Sequence, residues 1–170
     1  NLPSTLKDIS GYAVFNGIGI KELALPEDME DISGTDVFRV CTELKKVILP
    51  KKLETISGEC LFLGCTALTD VVFPENLRAI TGWLNFSQTG IESVKLPASL
   101  QELGVATFER CENLKEVQLP EGLQILGASN FDGCILLRSI VIPEGIEVLG
   151  EQTFLGCTSL EEIKIPSGVK

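Results

Sequence analysis

Apolar and polar positions follow one short pattern that returns along almost the whole chain. Between Leu44 and Pro50, Leu44, Val47 and Leu49 are the constant apolar positions, Lys45, Lys46 and Ile48 lie between them, and proline closes the stretch. Val47 and Leu49 are two residues apart, so they share one face of a strand, while Lys46 and Ile48 point to the other. Pro50 has no N–H to give a ladder and stops the strand. The same wording returns at Ile20–Pro26, Leu68–Pro74, Ile91–Pro97, Leu114–Pro120, Leu137–Pro143 and Leu160–Pro166, and a fragment, Leu2-Pro3, opens the chain. Each proline begins a turn, often closed by glycine as in Leu119-Pro120-Glu121-Gly122, which is type I turn chemistry. Leu53 and Ile56 then point inward again. The stretch through Phe62 and Cys65 is predicted to cross the far side as a short helical or 3₁₀ turn.

All eight prolines occupy this one position, at steps of 23 or 24 residues. Three further columns keep the same phase: Phe15, Phe38, Phe62, Phe86, Phe108, Phe131 and Phe154; Leu6 through Ile146; and Ile9 through Leu149. A fixed period with Leu-x-x-Leu-x-Leu spacing is the mark of a leucine-rich solenoid. One turn cannot bury its apolar side alone, so stacked turns supply a continuous core. The expectation is a β-rich repeat solenoid: a right-handed coil with a parallel β-sheet on one face and short 3₁₀ or irregular segments on the other. It forms a single domain over 1–170, about seven turns of 23–24 residues, truncated mid-repeat at both ends as in a piece of a longer protein. At about 4.8 Å per strand such a rod is about 35 Å long. The period is uneven. The earlier turns carry Ile-Ser-Gly or Ile-Thr-Gly where the later ones have Leu-Gly, and Phe15 to Ile20 and Phe86 to Ile91 are one residue shorter than their counterparts. The two halves are therefore expected to curve differently.

Units such as Gly104–Leu123 and Gly127–Ile146, with Leu-Gly-x-x-x-Phe-x-x-Cys-x-x-Leu-x-x-Val-x-Leu-Pro-x-x-Leu as their frame, resemble the BspA-type leucine-rich repeat. The resemblance covers essentially the whole chain and departs from its own pattern at Ile18 and Thr89, where the column cysteine is missing. It implies a surface or secreted protein of anaerobic bacteria or some protozoa, engaged in adhesion to host or microbial partners.

Charge narrows the choice of partner. The net charge of −10 disfavours nucleic acid, whose binding rests on Lys and Arg, and it disfavours anionic membranes. No apolar run approaches the roughly 18 residues of a membrane span. There is no histidine, which removes Ser-His and Cys-His catalysis, and no Cys-x-x-Cys pair for a metal. Cys41, Cys65, Cys111, Cys134 and Cys157 each stand three residues after a column Phe, with Cys60 off the column, and read as buried thiols lining the core. The acidic cluster Glu27, Asp28, Glu30, Asp31 and Asp36 lacks the spacing of a calcium loop and reads as a solvated turn. Glycines such as Gly104, Gly127 and Gly150 fall at corners, for positive φ or for tight packing. Tyr12 and Trp83 stand in the two shortened turns, where a large ring would fill lost space; the other reading is an aromatic contact for a partner or glycan. Asn85-Phe86-Ser87 has the form of a glycosylation site but contains a core phenylalanine.

That leaves the outward positions of the strands. They pair as Glu22 with Ala24, Lys46 with Ile48, Asp70 with Val72, and Ser93 with Lys95, and continue towards the C-terminus. Strand propensity alone accounts for β-branched residues anywhere on a sheet. The functional reading is a hydrophobic strip of Ala24, Ile48 and Val72 rimmed by Glu22, Lys46, Asp70 and Lys95. The chain is expected to be a protein-recognition or adhesion module of a secreted or cell-surface bacterial protein. No chemistry, cofactor, metal, nucleic acid or membrane insertion is expected. The partner is a protein ligand, of the host or of a microbial surface. The alternative is a structural spacer within a larger surface protein. Exposed solenoid ends leave self-association open.

Overall fold

The computed structural model describes residues 2–170. Eleven strands are joined by turns: β1 (Glu22–Ala24), β2 (Lys46–Ile48), β3 (Thr55–Ile56), β4 (Asp70–Val72), β5 (Ala79–Ile80), β6 (Ser93–Lys95), β7 (Glu102–Leu103), β8 (Glu116–Gln118), β9 (Ile125–Leu126), β10 (Ser139–Val141) and β11 (Glu162–Lys164). Every pairing is parallel. The result is a parallel-strand β-solenoid, as the repeat predicted. Its long strands are those that precede each proline. The short ones, β3, β5, β7 and β9, form a second parallel sheet around the proline turn.

The far side differs from the expected 3₁₀ segment: it contains turns and, among the described residues, no helix. Each column phenylalanine stands between two residues of positive φ, two before it and two after it. Around Phe38 these are Asp36 and Val40, both at 57°; around Phe131 they are Ser129 at 57° and Gly133 at 72°. Such a backbone cannot continue a helix, and it costs a non-glycine residue about 1–2 kcal/mol. Hydrogen bonds between turns offset that cost, from Asp36 N–H to Glu59 C=O (2.9 Å), Phe38 N–H to Leu61 C=O (2.9 Å) and Val40 N–H to Leu63 C=O (2.8 Å). The far side is therefore a third wall of stacked backbone.

The core lies between these walls. The column phenylalanines form one uninterrupted stack, with ring centroids 5.3–5.4 Å apart from Phe15 to Phe86 and 5.8–6.2 Å apart from Phe86 to Phe154. The spacing of the stack thus changes at Phe86. The column thiols tie turn to turn: Cys65 Sγ donates to Phe38 C=O (3.1 Å), Cys111 Sγ to Phe86 C=O (3.1 Å) and Cys157 Sγ to Phe131 C=O (3.0 Å). The corner glycines serve close approach. A Cβ on Gly104 would stand 2.6 Å from Ile80 C=O, and one on Gly127 2.7 Å from Gly104 C=O, closer than any side chain tolerates.

The long-strand sheet is not continuous. β1, β2 and β4 form one sheet; β6, β8, β10 and β11 form another. No Cα of β4 lies within 8 Å of a Cα of β6. The turns meet on either side of this opening, where Gly64 N–H donates to Ser87 C=O (3.0 Å) and Gln101 N–H to Arg78 C=O (2.7 Å). The opening coincides with the residue missing between Phe86 and Ile91. It also coincides with Phe73, the one aromatic residue in a column otherwise Leu or Ile, whose ring stands edge-on to Phe86 at 5.5 Å and 71°. The seam is a local parting of the strands in a coil closed everywhere around it.

Candidate recognition surface

In the first sheet the register is Glu22 beside Lys46 beside Asp70, and Ala24 beside Ile48 beside Val72. The middle residues of the strands, Leu23 and Val47, are buried, so their neighbours necessarily face solvent. Six of the seven residues singled out in the sequence thus stand on one small face as two parallel rows, one charged and one apolar. Ile48 and Val72 are 40% and 43% exposed. In the charged row, Lys46 Nζ reaches Asp70 Oδ2 at 2.6 Å. That hydrogen bond and the carboxylate's charge hold the Lys46 ammonium above the usual lysine range. The pair is exposed and screened, so it orients the row more than it stabilises the fold.

The seventh residue, Lys95, is separated from the others. It belongs to β6, across the seam from Val72, and lines an opening of about 480 Å³ with Phe73, Glu75, Leu96, Pro97 and Ala98. Sequence reasoning missed Phe73 and Glu75. The signal was present in two places, the aromatic exception at Phe73 and the short step after Phe86, but the two lie thirteen residues apart and meet only in the coil.

The remaining candidates resolve into structure. All six cysteines are free thiols, five buried and Cys157 half-buried. Burial pushes Cys65 up to about 12, and Cys111 and Cys157 up to about 11, so these thiols stay protonated and poorly nucleophilic at neutral pH. Asn85 is buried in full, with Nδ2 donating to Gly58 C=O (3.0 Å) and Oδ1 accepting from Leu61 N–H (3.2 Å). It is a structural bridge between turns, and its amide is out of reach of any modifying enzyme. Asn130 repeats the device with Gly104 C=O and Thr107 N–H. Tyr12 and Trp83, read as rings filling space in shortened turns, do not do so: they are 76% and 49% exposed. They occupy the position three before the column Phe, which points outward. In the acidic turn, Asp28 is paired with Lys52 at 2.6 Å and Glu27 with Lys51 at 3.3 Å, which is a solvated, charge-balanced surface.

Comparison with known proteins fits this architecture. The model of the BspA type leucine-rich repeat region matches residues 1–84 and 84–170, in six copies. The chain belongs to the BspA-type leucine-rich repeat family. Among solved structures, a leucine-rich repeat protein from Bacteroides ovatus superposes with a TM-score of 0.84 at 28% identity, over 96% of this chain and 42% of that one. A T. pallidum leucine-rich repeat protein gives 0.81 at 30% identity, over 86% of this chain and 71% of that one. A leucine-rich cell surface protein from Faecalibacterium prausnitzii gives 0.56 at 27%, over 85% and 32%. This BspA-type chain thus spans less than half the length of the Bacteroides ovatus protein it matches. No curated protein matches it.

Proposed function

We propose that this BspA-type chain is a non-enzymatic recognition or adhesion module of a secreted or cell-surface bacterial protein, and that its partner is a protein. The contact surface is the row Ala24, Ile48 and Val72, bordered by Glu22, Lys46 and Asp70, with Lys95 on the far lip of the seam. The observation that carries the reading is the register of the first sheet. It lines up exposed apolar side chains across three turns, beside a charged row of alternating sign. Apolar area is what a partner can desolvate for affinity, and an ordered charged border sets orientation. A cell-surface setting is supported by the Faecalibacterium prausnitzii relative, itself a cell surface protein.

The test is binding of the chain, by biolayer interferometry, to a panel of epithelial and extracellular-matrix proteins. Ile48→Asp and Val72→Asp are expected to cut the strongest interaction at least tenfold while the circular-dichroism melt stays unchanged. Normal binding by both variants defeats the surface as described. A dependence on repeat number alone would make the chain a spacer.

A further inference from the structure

We infer that the seam between β4 and β6 is a docking slot for one extended peptide strand, which completes the split sheet by pairing with both lips. The inference goes beyond the surface proposed above, which it adjoins at Lys95, because it concerns a different kind of contact: main chain rather than apolar side chains.

Most of the paired long strands share two further main-chain bonds. The residue before the proline donates to the following turn, as in Leu25 N–H to Ile48 C=O, Leu49 N–H to Val72 C=O and Leu96 N–H to Gln118 C=O, at 3.1–3.2 Å. The residue before the long strand donates to the preceding turn, as in Lys45 N–H to Lys21 C=O (2.7 Å) and Lys115 N–H to Glu92 C=O (2.8 Å). At the β4–β6 seam the equivalent pairs are Phe73 with Lys95 and Glu92 with Thr69. Neither bond is made among the described residues; both are also missing between β8 and β10, but there Ser139 still pairs with Glu116, whereas β4 and β6 share no pair. Both lips therefore carry unpaired main-chain donors and acceptors along parallel edges, the feature that recruits a further strand.

The width selects the occupant. Paired strands stand about 4.8 Å apart, so two lips with one strand between them stand about 9.6 Å apart. A separation above 8 Å is too wide for direct pairing, as a slot for an inserted strand must be. The floor is apolar, with Phe73 edge-on to Phe86 and Leu96 beside it, so inward side chains of the guest meet hydrocarbon. The rim is polar. Lys95 makes no salt bridge among the described residues, whereas Lys46, on the central strand of the first sheet, is held by Asp70. The guest is therefore an extended peptide with apolar residues at alternate positions and an acidic side chain at the level of Lys95. This is recognition by strand addition, in which main-chain bonds supply affinity and alternate side chains supply selectivity.

Two measurements test it. The first asks whether the slot exists. Asp70→Cys with Ser93→Cys places the new thiols at Cα atoms more than 8 Å apart, beyond the roughly 7 Å limit for a disulfide. Ser93→Cys with Glu116→Cys, directly paired in the second sheet, is the control. Under mild oxidation the control is expected to close and the seam pair to stay open. Closure of both at equal rates means that β4 and β6 pair directly, and it overturns the proposal.

The second measurement uses synthetic peptides copying residues 43–51 of this chain, titrated into isotope-labelled protein. At the position of Ile48, which would lie level with Lys95, a glutamate peptide is compared with a lysine peptide. The glutamate peptide is expected to bind at least fivefold tighter, to shift amides confined to 69–75 and 92–98, and to weaken at least tenfold when its alternate amides are N-methylated. Shifts at β1 or β11 instead, or affinity indifferent to N-methylation, overturn it. The same titration on the protein variant Ile48→Asp is expected to be unchanged. Failure of the slot is thereby distinguished from failure of the apolar row.

Discussion

On the phenylalanine side the rings stack without a break from Phe15 to Phe154, whereas on the strand side the sheet parts between Val72 and Ser93. Both sides meet the same irregularity, a single missing residue after Phe86. The phenylalanine wall absorbs it because ring stacking is tolerant: the centroid spacing moves by only a few tenths of an ångström and the contacts survive. The strand wall does not, because a ladder works only at one spacing and one phase. A repeat protein can thus keep one continuous core and still open a specific seam in its surface. The two sheets that result also differ in what they present. The first carries Ala24, Ile48 and Val72 in its outer row, and the second carries Lys95, Gln118, Val141 and Lys164.

Removing a ring at the junction should produce the largest effect. Phe86→Ala strips the fully buried ring that joins the two stacks and supports Phe73, and it is expected to cost about 3–5 kcal/mol in urea unfolding. A loss below about 2 kcal/mol would show that the halves are not held together through the phenylalanine wall. Asn130→Ala comes next. It leaves Thr107 N–H and the Gly104 and Gly127 carbonyls without their side-chain partner, at an expected cost of about 1–3 kcal/mol, and Asn85→Ala should match it across the seam. A twofold difference between the two asparagines would show that the halves depend unequally on this bridge.

Alkaline pH should act through the thiol column. Thiols raised to about 11–12 stay protonated in the folded chain, while unfolded thiols ionise from about 9 upwards. The unfolded state then binds fewer protons, so stability falls as pH rises from about 9 towards 12. Replacing the five column cysteines by alanine should flatten that slope, as chemical denaturation at pH 8, 9.5 and 10.5 would reveal; an unchanged slope would point to other groups. The smallest effect on stability is expected from inserting one residue between Thr89 and Gly90. Restoring the six-residue step should let β4 and β6 pair and bring the Asp70→Cys, Ser93→Cys pair within crosslinking reach. If that pair stays open, Phe73 and not the deletion holds the seam apart.

Much of this was legible without coordinates. The proline, phenylalanine, leucine and cysteine columns set the coil and its core, because residues on one phase of a fixed period must stack on their counterparts. The same phase put Glu22, Lys46 and Asp70 in one row and Ala24, Ile48 and Val72 in the next. The positive-φ flanks of the phenylalanines were legible only where Gly17, Gly64, Gly133 and Gly156 follow their ring by two residues. Val40, Leu84 and Arg110 give no signal for a left-handed backbone, since there the conformation is stabilised by bonds to the neighbouring turn and not by local preference. The exposure of Tyr12 and Trp83 was misread for a related reason: the space lost in a shortened turn is redistributed along the coil and need not be filled where the residue is missing.

The sequence by itself determined the period, the inward and outward sides of every strand and the family, because these follow from which residues recur at which step. Only the tertiary structure decided that Lys95 stands apart from the row it was grouped with, and that the sheet opens beside it. Those outcomes depend on how one deleted residue and one oversized ring, thirteen positions apart, share the strain between two stacked turns. That distribution belongs to the packed coil and is not written at either position.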